Sequence, residues 1–152
     1  MCTIREIESS KYLCLLSISE PRDNQLRLLI RQAGISPAQG QSDTSAVGPH
    51  TSFLPIEADG RIFEIIWDYY LGYGVRNESN AAIDPCEVGV GRVFRVCTKS
   101  RFLDYLAVAC VAHETCGDPL THWNVNCLNH TIDIVGPGEP CIREIQPNEL
   151  PA

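Results

Sequence analysis

Apolar residues fall on every odd position from Phe63 to Val75, namely Phe63, Ile65, Trp67, Tyr69, Leu71, Tyr73 and Val75. A period of two predicts a single long strand with one core face. The even positions, Glu64, Ile66, Asp68, Tyr70, Gly72, Gly74 and Arg76, make the other face mixed, as in an antiparallel sheet wetted on one side. Gly72 and Gly74 share that face, where they bend the strand or let another segment approach closely.

The same pattern reading runs along the rest of the chain. Lys11 to Ser19 is a buried strand, and Glu20-Pro21-Arg22-Asp23 stops it and opens a helix through Gln25 to Ala33, started by Pro21 or Asp23 and capped by Gly34. Gln39 to Pro49 has no apolar period and is rich in Gly, Ser and Asp, so it is expected to be a mobile loop. Arg92 to Thr98 reads as a strand, and Ser100 stands where a helix N-cap belongs. The helix expected from Arg101 to Val111 carries the stripe Phe102, Leu103, Leu106, Ala109, Cys110. Thr121 to Val135 returns as a strand on which Trp123, Val125 and Cys127 have one parity and Ile132 and Ile134 the other, which predicts a bulge near Leu128 or Asn129. Cys141 to Ile145 adds an edge strand. The expected fold is α+β, a mainly antiparallel sheet with two principal helices on one face, in a single domain spanning residues 1–152.

Size and charge narrow the function. A chain of 152 residues is long enough to build one core without disulfide or metal. The longest apolar run near the N-terminus, Tyr12 to Ile18, is too short to span a bilayer, and the first ten residues are acidic, unlike a secretory signal. From these features the chain is expected to be soluble and cytoplasmic, away from membranes. Eight cysteines are then expected to be reduced and mostly core-filling. A net charge of −7 and a pI near 5.0 argue against nucleic acid, whose recognition needs clustered Lys and Arg, and favour a basic protein partner.

Candidate chemistry concentrates between Cys110 and His130. Cys110-x2-His113-x2-Cys116 comes near the spacing of structural zinc ligands. The remaining candidates do not join it: on an extended chain His122 and His130 stand about 26 Å apart, and Cys127 and His130 project to opposite faces unless the bulge intervenes. No metal or cofactor is therefore expected, with Cys110, His113 and Cys116 as the runner-up ligand set. Gly-x-Ser-x-Gly, phosphate-loop and His-Glu-x-x-His motifs are absent from the sequence, and His130 and Asp133 face opposite ways on a strand, so a catalytic assignment has little support. Polar residues with no use in a core remain: Arg76, Asn77 and Glu78 after the long strand, and Asn126, Asn129, His130 and Asp133 on the late one. Taken as ordinary structure they are ion pairs and a bulge support; taken as function, Arg76, Asn77, Glu78, Asn129, His130 and Asp133 are a binding patch at one end of the sheet.

Three segments, FEIIWDYYLGYGVRNES, GRVFRVCTKSRFLDYLA and THWNVNCLNHTIDIVGPGEPCIREI, carry a further likeness. In that order they resemble an uncharacterised family of small bacterial proteins with V-R-N-E-S, K-S-R-F-L-D-Y and C-L-N-H-x-x-D-I blocks, over about Leu54 to Ile145. Arg76, Asn77, Glu78, Ser79, Lys99, Ser100, Arg101, His122, Asn129, His130 and Asp133 match its polar positions, whereas Cys110, His113 and Cys116 fall outside the blocks. The resemblance implies no activity and no catalytic residue. By class analogy, small acidic bacterial proteins of this build are partner-binding proteins, including immunity proteins that inhibit a toxin. The expected function is that of a cytosolic immunity-like inhibitor; the alternative is a small enzyme or ligand-binding domain with a polar pocket near Arg76, Glu78, Asn129 and His130.

Overall fold

The computed structural model describes residues 2–34, 60–82, 84–111 and 119–151. A short helix α1 (Ile4–Glu8) precedes β1 (Tyr12–Ser19), β2 (Leu26–Ala33), β3 (Ile62–Trp67), β4 (Gly72–Asn77), β5 (Val88–Val90) and β6 (Phe94–Lys99). Helix α2 (Arg101–Ala109) follows, then β7 (Thr121–Asn126), β8 (His130–Gly136) and β9 (Cys141–Ile145). One sheet has the order β1-β2-β3-β9 and the other β4-β8-β7-β6-β5, all neighbours antiparallel. The chain is therefore mainly β rather than α+β with two principal helices; among the described residues only α2 exceeds five residues.

Side chains of both sheets share one core. Trp67 on β3 stacks on Phe94 of β6 at 6.3 Å between ring centroids and tilts against Trp123 of β7 at 5.9 Å. Leu13, Leu28, Ile30, Phe63 and Ile65 of the first sheet join Val125, Ile132 and Ile134 of the second, all fully buried. Each contributes about 1.5–3 kcal/mol of transfer free energy.

Three expectations change here. The helix expected from Gln25 to Ala33 is the strand β2, because the strand is covered on both faces. Leu26, Leu28 and Ile30 face the shared core, while Leu29 turns outward to join Ile62 and Ile145 in a second small cluster. A doubly buried strand gives a dense apolar run that imitates helical spacing. Its Pro21-Arg22-Asp23 segment is part of the β1–β2 connection, where Asn24 takes a positive φ of 61°.

The strand expected through Val75 is two strands that change sheets. Tyr70 still donates its backbone N–H to Asn24 beside the first sheet, at 3.3 Å, whereas Leu71 donates to Val135 of the second, at 2.7 Å. Tyr73 packs against the same core as Phe63 and Ile65, but Tyr69 and Val75 are 47% and 44% exposed and Tyr70 also joins the core, so the odd parity survives only in part. Thr121 to Val135, expected to be one bulged strand, is a hairpin. The Cys127 N–H donates to the His130 carbonyl at 2.8 Å, closing a two-residue turn at Leu128 and Asn129. The parity switch marks a reversal of direction, which brings residues of the segment together instead of spreading them.

The strands expected over Lys11–Ser19, Arg92–Thr98 and Cys141–Ile145 are present, and β9 is an edge strand. Gly72 does admit a close neighbour: a Cβ there would stand 2.9 Å from a Leu106 methyl of α2. Of the expected helix stripe only Leu106 is buried, and Ala109 is exposed. The expected loop at Gln39–Pro49 lies outside the described residues. The described cysteines are unpaired, with Cys97 and Cys127 buried and Cys86 and Cys141 exposed, so core filling accounts for two of them rather than most. Among the described residues no helix is long and apolar enough to cross a membrane.

Candidate functional site

The second sheet turns Trp123, Val125, Ile132 and Ile134 toward the core, so the alternate residues of β7 and β8 face outward: His122, Asn124 and Asn126, with Thr131, Asp133 and Val135. In this register Asn124 stands opposite Asp133, and β4 places Gly74 beside Asp133 and Arg76 beside Thr131. Diagonal neighbours across strands are within reach of long side chains. Asp133 becomes the hub of this face.

Its Oδ1 accepts from Asn124 Nδ2 at 2.6 Å and meets His122 Nε2 at 3.1 Å. Its Oδ2 accepts from Arg76 Nε at 2.9 Å and pairs with Nη2 at 2.8 Å. Burial alone would push the Asp133 carboxyl up, but the hydrogen bonds from His122 and Asn124 and the Arg76 charge outweigh it, holding the group below its ordinary value. An ionised Asp133 only accepts, so His122 Nε2 carries the hydrogen. His122 Nδ1 lies 2.8 Å from Ser100 Oγ, which also accepts the N–H of Leu103 at 3.0 Å as the N-cap of α2. In the neutral imidazole the Ser100 hydroxyl therefore donates to Nδ1.

Helix α2 roofs one half of the face. Leu106 closes over Gly72, a Cβ at Gly74 would lie 3.9 Å from the Phe102 ring, and Phe102 tilts against the His122 imidazole at 5.6 Å between centroids. His122 is 2% exposed. Ser100, His122 and Asp133 have the composition of a nucleophilic triad, but the hydroxyl is buried and already engaged in the helix cap, so the chain of bonds holds α2 to the sheet and fixes the imidazole tautomer.

Two cavities open beside the hub. One of about 380 Å³ is lined by Gly74, Arg76, Glu87, Ser100, His122 and Asp133. The other, about 690 Å³, is lined by Arg76, Glu78, Glu87, Arg95, Asn124 and Thr131 among others. Arg76, whose side chain is 45% exposed, borders both, and among the described residues its Nη1 has no hydrogen-bond partner. At the shared edge Cys97 Sγ donates to Glu87 Oε1 at 2.8 Å, and Arg95 Nη1 stands 3.4 Å from the same oxygen. Burial first, then the Glu87 carboxylate, pushes the Cys97 thiol up to about 12. A Glu87 oxygen, Cys97 Sγ and a His122 ring nitrogen all lie within 4.8 Å of one another.

The residues expected to form a binding patch divide. Arg76 and Asp133 meet, and Glu78 is exposed on the larger cavity. Asn77 instead accepts the Ser79 N–H at 3.0 Å, capping a 3-10 turn at Glu78–Asn80. Asn129 Oδ1 accepts from the Leu15 N–H and its Nδ2 donates to the Leu15 carbonyl, both at 3.0 Å, beside the irregularity in β1. The bulge it supports belongs to another strand. His130 has the parity of Ile132 and lies on the face opposite Asp133, as expected; its Nδ1 is buried with no partner among the described residues. The pocket thus has Arg76 without His130 or Asn129. Of the runner-up metal ligands, Cys110 ends α2, and His113 and Cys116 lie outside the described residues.

Asn124, Glu87 and Cys97 were not singled out from the sequence. For Asn124 the signal was present, since an inward Trp123 and Val125 leave His122, Asn124 and Asn126 as an outward polar stripe. Comparison of the chain with family models, with curated proteins and with solved structures finds no match.

Proposed function

We propose that this chain is a small-ligand-binding domain that takes a polar molecule bearing a carboxylate or similar oxygen group on the outer face of the second sheet. The observation that carries this reading is Arg76: a half-exposed guanidinium, fixed by a buried carboxylate, between two cavities. Holding an arginine in place before the ligand arrives lowers the ordering cost of binding, and its planar donors suit an oxygen pair. A thermal-shift screen of small carboxylates and phosphates tests it. At least one compound should raise the melting temperature, and Arg76→Gln should weaken its affinity by about 10- to 100-fold, the worth of one charged hydrogen bond of roughly 1.5–3 kcal/mol. Equal affinity in the variant would refute the assignment.

A protein partner is the second reading, in keeping with an immunity-like inhibitor acting in the cytoplasm. What favours it is a run of exposed apolar side chains, Tyr105 and Val108 on α2 and Val111 just beyond it, exposed by 64%, 90% and 78%. The charge of −7 would draw a basic partner.

A further inference from the structure

We infer that Cys97, His122 and Glu87 form a binding site for a zinc-class divalent ion at the edge of the smaller cavity. The inference stands apart from ligand binding at Arg76 and differs from the ligand set suggested by sequence spacing. Thiolate, imidazole and carboxylate are the donor types zinc takes, at about 2.0–2.3 Å, so ligand atoms around one tetrahedral ion stand about 3.3–3.8 Å apart. The three donor atoms already lie within 4.8 Å of one another. Small side-chain adjustments suffice to close around an ion.

Three features of the surroundings match a metal centre. The first is the outer shell: a ligating imidazole normally donates its other N–H to a carboxylate, which fixes the tautomer. Here His122 gives Nε2–H to Asp133, itself held by Asn124 and Arg76, and keeps its lone pair on Nδ1. The second is rigidity, since Cys97 and His122 are directly paired residues of β6 and β7. The third is access. Glu87 and His122 both line the smaller cavity, so an ion can reach the group from it.

Binding would release the thiol proton now shared with Glu87 to solvent, form the sulfur–metal bond, and move the Ser100 hydroxyl off Nδ1. Among the described residues the group has three members, which leaves a fourth position for water or a ligand oxygen, the arrangement of an open rather than a closed zinc site.

Titration of the metal-free, reduced protein with cobalt(II), read by its absorption, tests this. One equivalent should bind with a thiolate-to-cobalt charge-transfer band and the visible bands of tetrahedral coordination, and one equivalent of zinc should bleach both. Cys97→Ala should abolish the charge-transfer band, while Cys110→Ser and Cys141→Ser should keep it. Should Cys97→Ala fail to fold, Glu87→Gln serves instead, with affinity reduced by at least the roughly tenfold lower bound of an outer-shell change. A band that survives in Cys97→Ala, full affinity in Glu87→Gln, loss of the band in Cys110→Ser, or no stoichiometric binding by the wild type would each overturn the proposal.

Discussion

Asp133 faces donors on every side: Asn124 and His122 at one oxygen, Arg76 at the other. Asp133→Asn keeps the shape but sets an amide N–H₂ against one of those donors in either orientation, so the change should cost on the order of 3 kcal/mol, as for a broken buried pair. Urea unfolding at neutral pH checks it. The same residue predicts an acid dependence. Its folded-state value lies below the ordinary 3.8, so it stabilises the fold above that pH and the contribution fades as pH falls through the folded value. Glu64 behaves likewise: burial raises it, but Arg143 and Arg27 more than compensate and hold it below the ordinary 4.5. Unfolding free energy should be level above about pH 5 and fall below about pH 4.5, and the gap between wild type and Asp133→Asn should narrow in acid. A gap that stays constant to pH 2 would show that Asp133 is not ionised in the fold.

At the scale of elements, the β7–β8 hairpin does the assembling. It brings His122 and Asn124 to Asp133, residues eleven and nine positions away along the chain. Its turn also ties the two sheets, because Leu128 N–H donates to the Leu13 carbonyl at 2.8 Å and the Asn129 amide completes both bonds of Leu15. Asn129→Ala leaves that backbone pair of β1 to water and should destabilise the protein by about 0.5–1.5 kcal/mol, with hydrogen exchange rising at Leu15 before the core. The helix cap at Ser100, the strand β1 and the close approach at Gly72 were all legible locally, because each depends on a cap residue, an apolar run or a missing Cβ. Strand β2 was not, since Leu29 packs on Ile62 and Ile145, which local spacing does not reveal. The candidate site was half legible. Arg76 and Asp133 stand out as polar residues on apolar strands, but a single turn at Leu128 and Asn129 decides whether His122 joins them or lies far away.

Across the whole molecule, the two sheets bury one face each against the other and treat their outer faces differently. The first closes its outer face with Glu64 between Arg27 and Arg143 and with the Leu29 cluster. The second covers half of its outer face with α2 and leaves Arg76, Asn124 and Thr131 beside open cavities. That asymmetry supports the proposed ligand site on the second sheet, at the polar hub rather than on the far side of α2. Mapping amide and side-chain shifts of the isotope-labelled protein by NMR, while adding the carboxylates and phosphates of the thermal screen, addresses this most directly. Saturable shifts centred on Arg76, His122, Asn124 and Asp133 are expected for at least one compound. Shifts centred on Tyr105 to Val111, or none anywhere with any compound, would contradict a ligand site on the outer face of the second sheet.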